Sequence, residues 1–433
     1  MRTAKAIRAR LFWFVTDPAV AGDAAWRYIE DGLVYIVGGI IEKIGPTEDV
    51  TSLLPAETPV VDHRPYILMP GFIDTHLHFP QTQVIASYGA QLLDWLNKYT
   101  FPEELRYADP ALCKTNATFF MDTLLAHGTT TAVAYGSVHP QSMEAYFSEA
   151  LSRNMRMIGG KVMMDRNAPS ALLDTPQQGY DESKALIDKW HGRGRLSYAV
   201  SPRFAITSTE AQLEASGALV KENPTCYMQT HISENLAEIA YVRELFPSAK
   251  DYTDVYERYG LLGPRALMGH CIHLSQRELA RFEETQSVAV FCPTSNLFIG
   301  SGLFDWAKTV ASGVRIGVAT DIGGGTSYSM LQTAAEGYKV LQLLGQSWSP
   351  FTAFHAMTLG NAKALQLQDK IGSLQIGHEA DFVVLNASAT PAMAMRMERV
   401  ASLVEELFVL MTLGDDRAIV ATYIMGERHV RSE

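Results

Sequence analysis

Short apolar runs alternate with helical patterns through most of the chain, from Met69 to about Gly360. Each run is short enough for a buried strand and ends in polar residues. This alternation is typical of βα units in a parallel sheet. Eight strands are predicted in this way, over residues 69–78, 129–135, 155–164, 196–200, 226–230, 266–269, 288–291 and 314–319. The pattern therefore predicts an α/β fold with a (β/α)8 TIM-like barrel, whose active site would lie at the carboxyl ends of the strands.

The helix before the second strand has a clear beginning and end. Asp109 is expected to cap its first turn, Pro110 follows directly, and Gly128 is expected to end the helix. The inward side is predicted to carry Phe119, Phe120, Leu124 and Leu125.

Composition excludes several classes of protein. The 433 residues carry a formal net charge of −11 with no basic run, whereas a nucleic-acid binder normally carries the opposite charge. The four cysteines form no C-x-x-C, which argues against a disulfide framework and favours the cytoplasm. The apolar run at residues 11–15 is too short for a secretion signal, and no run approaches the roughly 18 residues of a membrane helix. We therefore expect a small-molecule substrate rather than nucleic acid or membrane.

The first predicted strand ends in two histidines. Because side chains alternate along a strand, His76 and His78 are expected to point the same way, and neutral imidazoles suit Zn²⁺ or Fe²⁺. Two hydrogen-bonded core histidines would have the same spacing. However, the run Pro-Gly-Phe-Ile-Asp-Thr-His-Leu-His at 70–78 resembles the first barrel strand of amidohydrolase-superfamily enzymes, which favours a metal site.

That resemblance implies further polar residues at later strand ends, in a fixed order. The chain supplies His231 after the fifth strand, His270 after the sixth and Asp321 after the eighth. His273 is an alternative to His270, although it lies beyond the strand end. With His76, His78, His231 and Asp321 as ligands, a metal ion would keep an open position for water.

These residues suggest hydrolytic chemistry. A bound divalent metal lowers the pKa of water from 15.7 to about 7. Asp321 could accept the water's proton, His270 could orient the water, and Glu234 could donate a proton to a ring nitrogen of the substrate. The alternative for Glu234 is an acidic residue that stabilises a helix N-terminus.

One Zn²⁺ per chain is expected. Members of the superfamily with two metals bridge them with a lysine at the end of strand four, and the segment 201–204 contains none. Lys161 lies well before the end of strand three. The resemblance implies that members with one metal are mostly deaminases. The other class of zinc deaminases uses H-x-E with P-C-x-x-C, which no segment fits.

Both chain ends are predicted to contribute strands outside the barrel. A hairpin is expected at residues 32–44 around Gly38-Gly39, and another at 423–430. Residues 371–385 resemble the segment in which superfamily members leave the barrel. We therefore expect a small β-sandwich domain from residues 1–66 and 372–433, and a catalytic barrel from residues 67–371.

The loop sequences resemble guanine deaminases of the amidohydrolase type, from about Gly32 to Gly426. The similar stretches are at residues 78–81, 92–102, 161–167, 201–204, 231–234 and 291–296. The resemblance implies Zn²⁺ held by His76, His78, His231 and Asp321, conversion of guanine to xanthine and ammonia, and a homodimer. It also implies a substrate pocket formed by Gln81, Trp95, Arg203, Phe204, His231, Glu234 and Asp321.

Other interpretations give different expectations. Arg203 could instead pair with a carboxylate, and Trp95 could belong to the core. Another amidohydrolase deaminase with one metal could act on cytosine, an adenosine derivative or a triazine; the 95–102 loop and Arg203 argue against it. A non-catalytic barrel of the same fold would be expected to have lost metal ligands, and this chain retains the full set.

Overall fold

The computed structural model describes residues 4–88 and 91–429. Its strands form two sheets. In chain order they are β1 (Ala4–Phe14), β2 (Trp26–Val37), β3 (Ile40–Pro46), β4 (Val60–Pro70), β5 (Phe72–His78), β6 (Thr129–Tyr135), β7 (Arg156–Gly160), β8 (Val162–Met163), β9 (Ser197–Pro202), β10 (Tyr227–Ile232), β11 (Ala266–His270), β12 (Val288–Phe291), β13 (Arg315–Val318), β14 (Phe382–Leu385), β15 (Ile419–Ile424) and β16 (Glu427–His429).

The parallel sheet forms the predicted barrel. Its strand order is β5-β6-β7-β9-β10-β11-β12-β13, and the short β8 pairs with β9. Asn361 joins the two end strands, since its Nδ2 donates to the carbonyls of Ile73 in β5 (2.6 Å) and Val318 in β13 (2.8 Å). The backbone N–H of Asp321 also donates to the carbonyl of His76, at 2.9 Å. The predicted fold class is therefore confirmed.

Helices connect the barrel strands. The α-helices are Pro18–Ala21, Thr47–Thr51, Leu92–Trp95, Phe101–Leu105, Pro110–Ala126, Pro140–Ser152, Pro176–Trp190, Glu210–Glu222, Leu236–Leu245, Tyr252–Glu257, Gln276–Thr285, Pro293–Phe298, Trp306–Ala311, Met330–Leu343, Pro350–His355, Asn361–Ala364, Pro391–Met397 and Leu403–Leu413. Short 3₁₀ turns occur at Gly22–Ala25, Phe79–Val84, Arg106–Ala108, Ser170–Leu172, Ala205–Thr207 and Asp416–Ala418, and π-helical turns at Leu96–Thr100 and Ala356–Gly360. None of the helices in the described ranges is long and apolar enough to cross a membrane.

The helix before β6 confirms the expected cap and corrects one expected core residue. Asp109 accepts a hydrogen bond from the N–H of Ala111 at 2.8 Å, and the helix ends at Ala126, shortly before Gly128 (φ 78°). Phe120 is fully buried together with Leu124 and Leu125. The prediction that Phe119 faces inward was wrong, because 54% of it is exposed. Neighbouring helix positions are about 100° apart, so Phe119 lies off the buried stripe.

The second sheet is built from both ends of the chain, as expected. Its order is β16-β15-β14-β4-β1-β2-β3, and it is mixed, because β1 pairs antiparallel with β2 and parallel with β4. Apolar side chains of Ile7, Leu11, Val34 and Phe382 pack together in its core. The predicted hairpins correspond to β2–β3 and β15–β16; Val430, at the end of the second, lies outside the described residues.

Buried ion pairs connect the segment before β14 to the barrel. Glu379 accepts hydrogen bonds from Arg156 Nε (2.8 Å) and Arg195 Nη1 (2.7 Å). Arg195 Nη1 also donates to Asp381, at 2.6 Å. Since Arg156 begins β7 and Arg195 immediately precedes β9, these contacts tie the end of the chain to the amino-terminal side of the barrel.

Candidate active site

Four histidines and one aspartate converge at the carboxyl ends of β5, β10, β11 and β13. The Nε2 atoms of His76 and His78 each lie 3.4 Å from Oδ1 of Asp321, and Nε2 of His78 lies 3.1 Å from Nε2 of His231. His270 Nε2 lies 3.8 Å from Oδ2 of Asp321. The sequence placed all five at strand ends, and the barrel brings them to one point.

The hydrogen bonds around these rings leave nitrogen lone pairs free. His231 Nδ1 must donate to the carbonyl oxygen of Arg203 (2.7 Å), so the Nε2 of a neutral ring carries a lone pair. Both ring nitrogens of His76 and Nδ1 of His78 are buried without a hydrogen-bond partner. Ligand atoms of His76, His231 and His270 lie within 4.8 Å of one another, as do those of His76, Cys292 and Asp321. Buried polar atoms normally have partners, so these unpaired nitrogens fit a metal cation.

The electrostatic environment agrees with metal binding. Burial lowers the pKa of His76, His78 and His231, which keeps these rings neutral. Burial alone would raise the pKa of Asp321, but the imidazole of His76, with Nε2 at 3.4 Å, and the other nearby imidazoles outweigh burial and lower it to about 2. Neutral imidazoles and an ionised carboxylate are the forms that bind Zn²⁺.

Four residues at this end of the barrel have a strained backbone. Ser233, His270, Cys271 and Asp321 all have positive φ angles, between 51° and 71°. Non-glycine residues seldom adopt this conformation, and it often occurs at functional sites because the surrounding structure must hold it. Here it turns the chain sharply just where each strand delivers its side chain.

Glu234 and His270 face each other beside the histidine cluster. Glu234 Oε2 lies 3.3 Å from His270 Nε2, and Ser301 Oγ donates to Glu234 Oε1 at 2.8 Å. Burial raises the pKa of Glu234 to about 7, although His270 and Ser301 act in the opposite direction. Burial lowers the pKa of His270, but the charges of Glu234 and Asp321 outweigh it, so the pKa is raised. A carboxyl group with a pKa near 7 can give and take protons at neutral pH.

The structure distinguishes His270 from its alternative, His273. His270 lines the cleft above the cluster, and its Nδ1 contacts Oδ1 of Asn296 at 2.9 Å. His273 Nε2 instead contacts the carbonyl of Ser301, at 3.0 Å.

A cleft with an empty volume of about 390 Å³ opens over these residues. Apart from His76, which is fully buried, every predicted site residue lines it; the lining set includes His78, Gln81, Trp95, Arg203, Phe204, His231, Glu234, His270 and Asp321. Leu92, Leu96 and Ile299 add apolar walls. A mostly apolar cleft with a few convergent polar groups is the usual form of a small-molecule site.

The sequence left open that Arg203 pairs with a carboxylate and that Trp95 belongs to the core, and the structure partly supports both alternatives. Arg203 pairs with the buried carboxylate of Glu104, through Nη1 at 2.8 Å, and still lines the cleft. Trp95 is only 3% exposed, as a core residue would be, yet it also lines the cleft. Gln81 donates to Glu104 at 2.9 Å and accepts from the N–H of Gly323 at 3.2 Å.

Lys161 is occupied elsewhere. Its buried Nζ lies 2.7 Å from Asp174 and 3.2 Å from Glu182. It sits between β7 and β8, and its charge is matched by these two carboxylates. This supports the expectation that it does not bridge metal ions.

Comparison with known proteins agrees with the geometry. The Amidohydrolase family matches residues 67–428. Guanine deaminase from Escherichia coli is 50% identical over 403 residues, covering 93% of this chain and 92% of that protein. The chain belongs to the guanine deaminases of the amidohydrolase family.

Solved structures of this family show the same architecture. The structure of E. coli guanine deaminase matches with a TM-score of 0.97 and 48% identity, over 98% of this chain and 99% of that one. A guanine deaminase from C. acetobutylicum, with guanine bound in its active site, matches with a TM-score of 0.87 and 27% identity, over 98% and 99% of the two chains.

The amidohydrolase barrel also recruits residues that sequence reasoning missed. Tyr135, at the end of β6, stacks on His78 with ring centroids 4.6 Å apart. Asn296, Ser301 and Glu104 contact His270, Glu234 and Arg203 respectively. Asn296 and Glu104 lie in or directly after stretches that resemble the family, but neither contact could be inferred without the fold.

Proposed function

We propose that the protein catalyses the hydrolytic deamination of guanine, in which guanine and water give xanthine and ammonia. The main support is the 50% identity to a guanine deaminase over almost the whole chain, combined with a complete set of site residues around one cleft. The C. acetobutylicum relative with guanine bound also supports a free purine base as the ligand. Other nucleobases, nucleosides and triazines are the alternative substrates.

His76, His78, His231 and Asp321 would hold one Zn²⁺ per chain. Their free nitrogens and ionised carboxylate fit this ion. When bound, zinc supplies Lewis acidity and makes hydroxide available near neutral pH. The pairing of Lys161 with Asp174 supports a single ion.

The chain's own groups would move the protons. Asp321 accepts the proton of the attacking water, and His270 holds that water by a hydrogen bond. Glu234 donates a proton to the ring nitrogen next to the attacked carbon. The amino group then takes up the proton held by Asp321 and leaves as ammonia, while the new hydroxyl group returns a proton to Glu234 and becomes the carbonyl of xanthine. A pKa of about 7 suits Glu234 to this task, because both of its protonation states are then populated.

The remaining cleft residues would recognise the base. Attack at C2 requires this carbon to face the metal, which directs the carbonyl at C6 towards the pocket wall. There Arg203 can donate from its guanidinium, while Phe204 and Trp95 offer flat apolar faces. Gln81 would contact the base through its second amide N–H or the second lone pair of its oxygen, because Glu104 and Gly323 use one of each.

We further propose a cytoplasmic homodimer of chains with two domains, whose boundaries lie near residues 66/67 and 371/372; β4 crosses the first boundary and continues to Pro70 in the sheet built from both termini. The family resemblance supports the dimer, and the four unpaired, buried cysteines support a reducing compartment. Mass measurement in solution tests the dimer.

Product analysis tests the proposed activity. Purified protein incubated with guanine is expected to form xanthine and ammonia in equal amounts, and elemental analysis is expected to give about one zinc per chain. His76→Ala is expected to lose metal and activity together. His191→Ala, which removes a half-buried histidine that contacts Thr225 and the backbone of Tyr198 outside the cleft, is expected to keep both. Failure of the metal-loaded protein to convert guanine would contradict the proposal.

A further inference from the structure

Glu104 is a fully buried carboxylate that contacts two predicted substrate-binding residues. Both of its oxygens accept hydrogen bonds from Arg203 Nη1, each at 2.8 Å, and Oε1 also accepts from Gln81 Nε2 at 2.9 Å. Its own carbonyl accepts from Ser137 Oγ at 3.0 Å, which fixes its backbone. Glu104 does not itself line the cleft.

These contacts leave one side of Arg203 available. Within residues 4–88 and 91–429, every hydrogen bond of the guanidinium runs through Nη1, and Nε and Nη2 have no protein partner. The guanidinium also lies 5.5 Å from the ring centre of Phe101. Since a guanidinium is a rigid planar fork, holding one nitrogen sets the direction of the others.

The pair also sets the charge of the recognition wall. Glu104 is the only carboxylate in the described ranges that forms an ion pair with Arg203, and both side chains are buried. A buried guanidinium without a partner would favour an anionic ligand, because charges attract strongly where water is excluded. Paired with Glu104, Arg203 can donate hydrogen bonds without adding net charge to the cleft.

We propose that Glu104 is a positioning residue that sets both the direction and the net charge of the Arg203 group, so that the cleft prefers a neutral purine bearing a ring carbonyl over an anionic purine. This inference rests on the proposed function, since it takes the ligand to be a purine base. It assigns Glu104 no contact with the substrate.

Two purines that the enzyme cannot deaminate at C2 test whether Glu104 sets the net charge of the Arg203 group. Hypoxanthine is neutral near pH 7 and keeps the carbonyl, whereas urate is an anion. Both are measured as competitive inhibitors of guanine deamination. Glu104→Gln is expected to lower the ratio of the urate to the hypoxanthine inhibition constant by about tenfold or more. The KM for guanine is expected to rise about tenfold while kcat changes much less.

Two variants separate charge, position and general damage. Glu104→Asp keeps the charge but shortens the side chain, so the inhibitor ratio is expected to stay near the parent value while KM rises. Glu103→Gln makes the same change one residue earlier, where the carboxylate pairs with Arg106 at 2.7 Å, and is expected to match the parent in KM and in the ratio.

The outcomes are distinct. The inference is overturned if the Glu104→Gln variant folds and keeps the parent's ratio of the urate to the hypoxanthine inhibition constant. It is also overturned if the Glu104→Asp variant keeps the parent's KM for guanine. If Glu104→Gln gives no folded protein, the double variant Glu104→Gln/Arg203→Met, in which neither charge remains, replaces it. This variant is expected to raise the inhibition constant of hypoxanthine about tenfold or more. An unchanged inhibition constant overturns the inference. A parent protein that releases no ammonia from guanine contradicts the proposed function instead.

Discussion

At the scale of single residues, the site depends on pairs of side chains that adjust each other. Ser301 holds one oxygen of Glu234, and His270 approaches the other. Asn296 fixes the opposite side of the His270 ring. These contacts aim the carboxyl at the cluster, while burial raises its pKa to about 7 against the opposing effect of His270 and Ser301, and this combination suits a proton donor.

The first prediction concerns this proton donor. Glu234→Gln keeps the size and polarity of the side chain but cannot transfer the proton. We expect normal folding and metal content with a loss of about 10³ in kcat, which corresponds to about 4 kcal/mol of transition-state stabilisation. Steady-state kinetics measure this, with Glu244→Gln on the following helix as an exposed control. Near-normal turnover would return Glu234 to a structural function at the helix terminus.

A glycine beside the cluster gives the second prediction. A Cβ on Gly269 would lie 2.6 Å from Cε1 of His76, so Gly269→Ala must displace that ring. Metal affinity and kcat are therefore expected to fall together, by about tenfold or more, as when supporting contacts of metal ligands are lost. Metal titration and kinetics provide the measurement, with Gly45→Ala in β3, where the nearest atom to the added Cβ is Cγ2 of Val50 at 3.3 Å, as a control. Parent-like metal affinity would show that the ring tolerates the methyl group.

At this scale the sequence predicted which residues meet at the cleft but not how they are held. His231, His270 and Asp321 could be found because each follows an apolar run in the expected order. Glu104 and Arg203 are 99 positions apart, and no local pattern connects them. Burial of Phe119 was also misjudged, because an apolar residue at the edge of a helix stripe cannot be assigned to one side from its type alone.

At the scale of elements, the barrel strands deliver the site through their carboxyl ends. The strand bounds of β6 and β12 agree with prediction, and the third predicted strand divides into β7 and β8 around Lys161. Periodicity locates such strands because buried parallel strands are continuous apolar runs. It cannot locate the closure between β5 and β13, to which the side chain of Asn361, from a later helix, contributes.

The third prediction tests that closure. Asn361 is fully buried, and its Oδ1 also accepts from the N–H of Val318 at 2.9 Å. Asn361→Leu leaves two carbonyls and one N–H without this partner, so the free energy of unfolding is expected to fall by about 3 kcal/mol. Denaturant unfolding measures the change. Asn223→Leu, which removes one hydrogen bond at a helix end and a long one of 3.5 Å from Lys184, is expected to cost less than about 1.5 kcal/mol. Equal effects of both variants would contradict the closing function of Asn361.

At the scale of the whole molecule, ion pairs join the sheet built from both termini to the barrel. Burial raises the pKa of Glu379, but the hydrogen bonds and charges of Arg156 and Arg195 outweigh burial and lower it. The carboxylate therefore stabilises the folded state above its unfolded pKa of about 4.3, and this contribution is lost as the pH falls through the lower, folded value.

The fourth prediction follows from the lowered pKa of Glu379 in the folded protein. Glu379→Gln is expected to lower the free energy of unfolding by about 2–4 kcal/mol at pH 7. The difference from the parent should stay constant between pH 6 and 8 and shrink below about pH 4. Unfolding curves across this range measure it, with Glu427→Gln, in an exposed pair with Lys5, as a control without a measurable effect. A difference that does not change down to pH 3 would exclude the ion pairs as its cause.

The central claim is that the cleft of the whole molecule selects free guanine. Its most direct test is the kcat/KM for ammonia release from guanine, adenine, cytosine and guanosine by the zinc-loaded protein under one set of conditions. We predict that guanine exceeds each of the others by about 10⁴ or more. Adenine presents an amino group where the wall is built to donate to a carbonyl, and guanosine keeps that carbonyl but must also fit a ribose into the cleft. A different base or a nucleoside with an equal or higher kcat/KM would contradict the account.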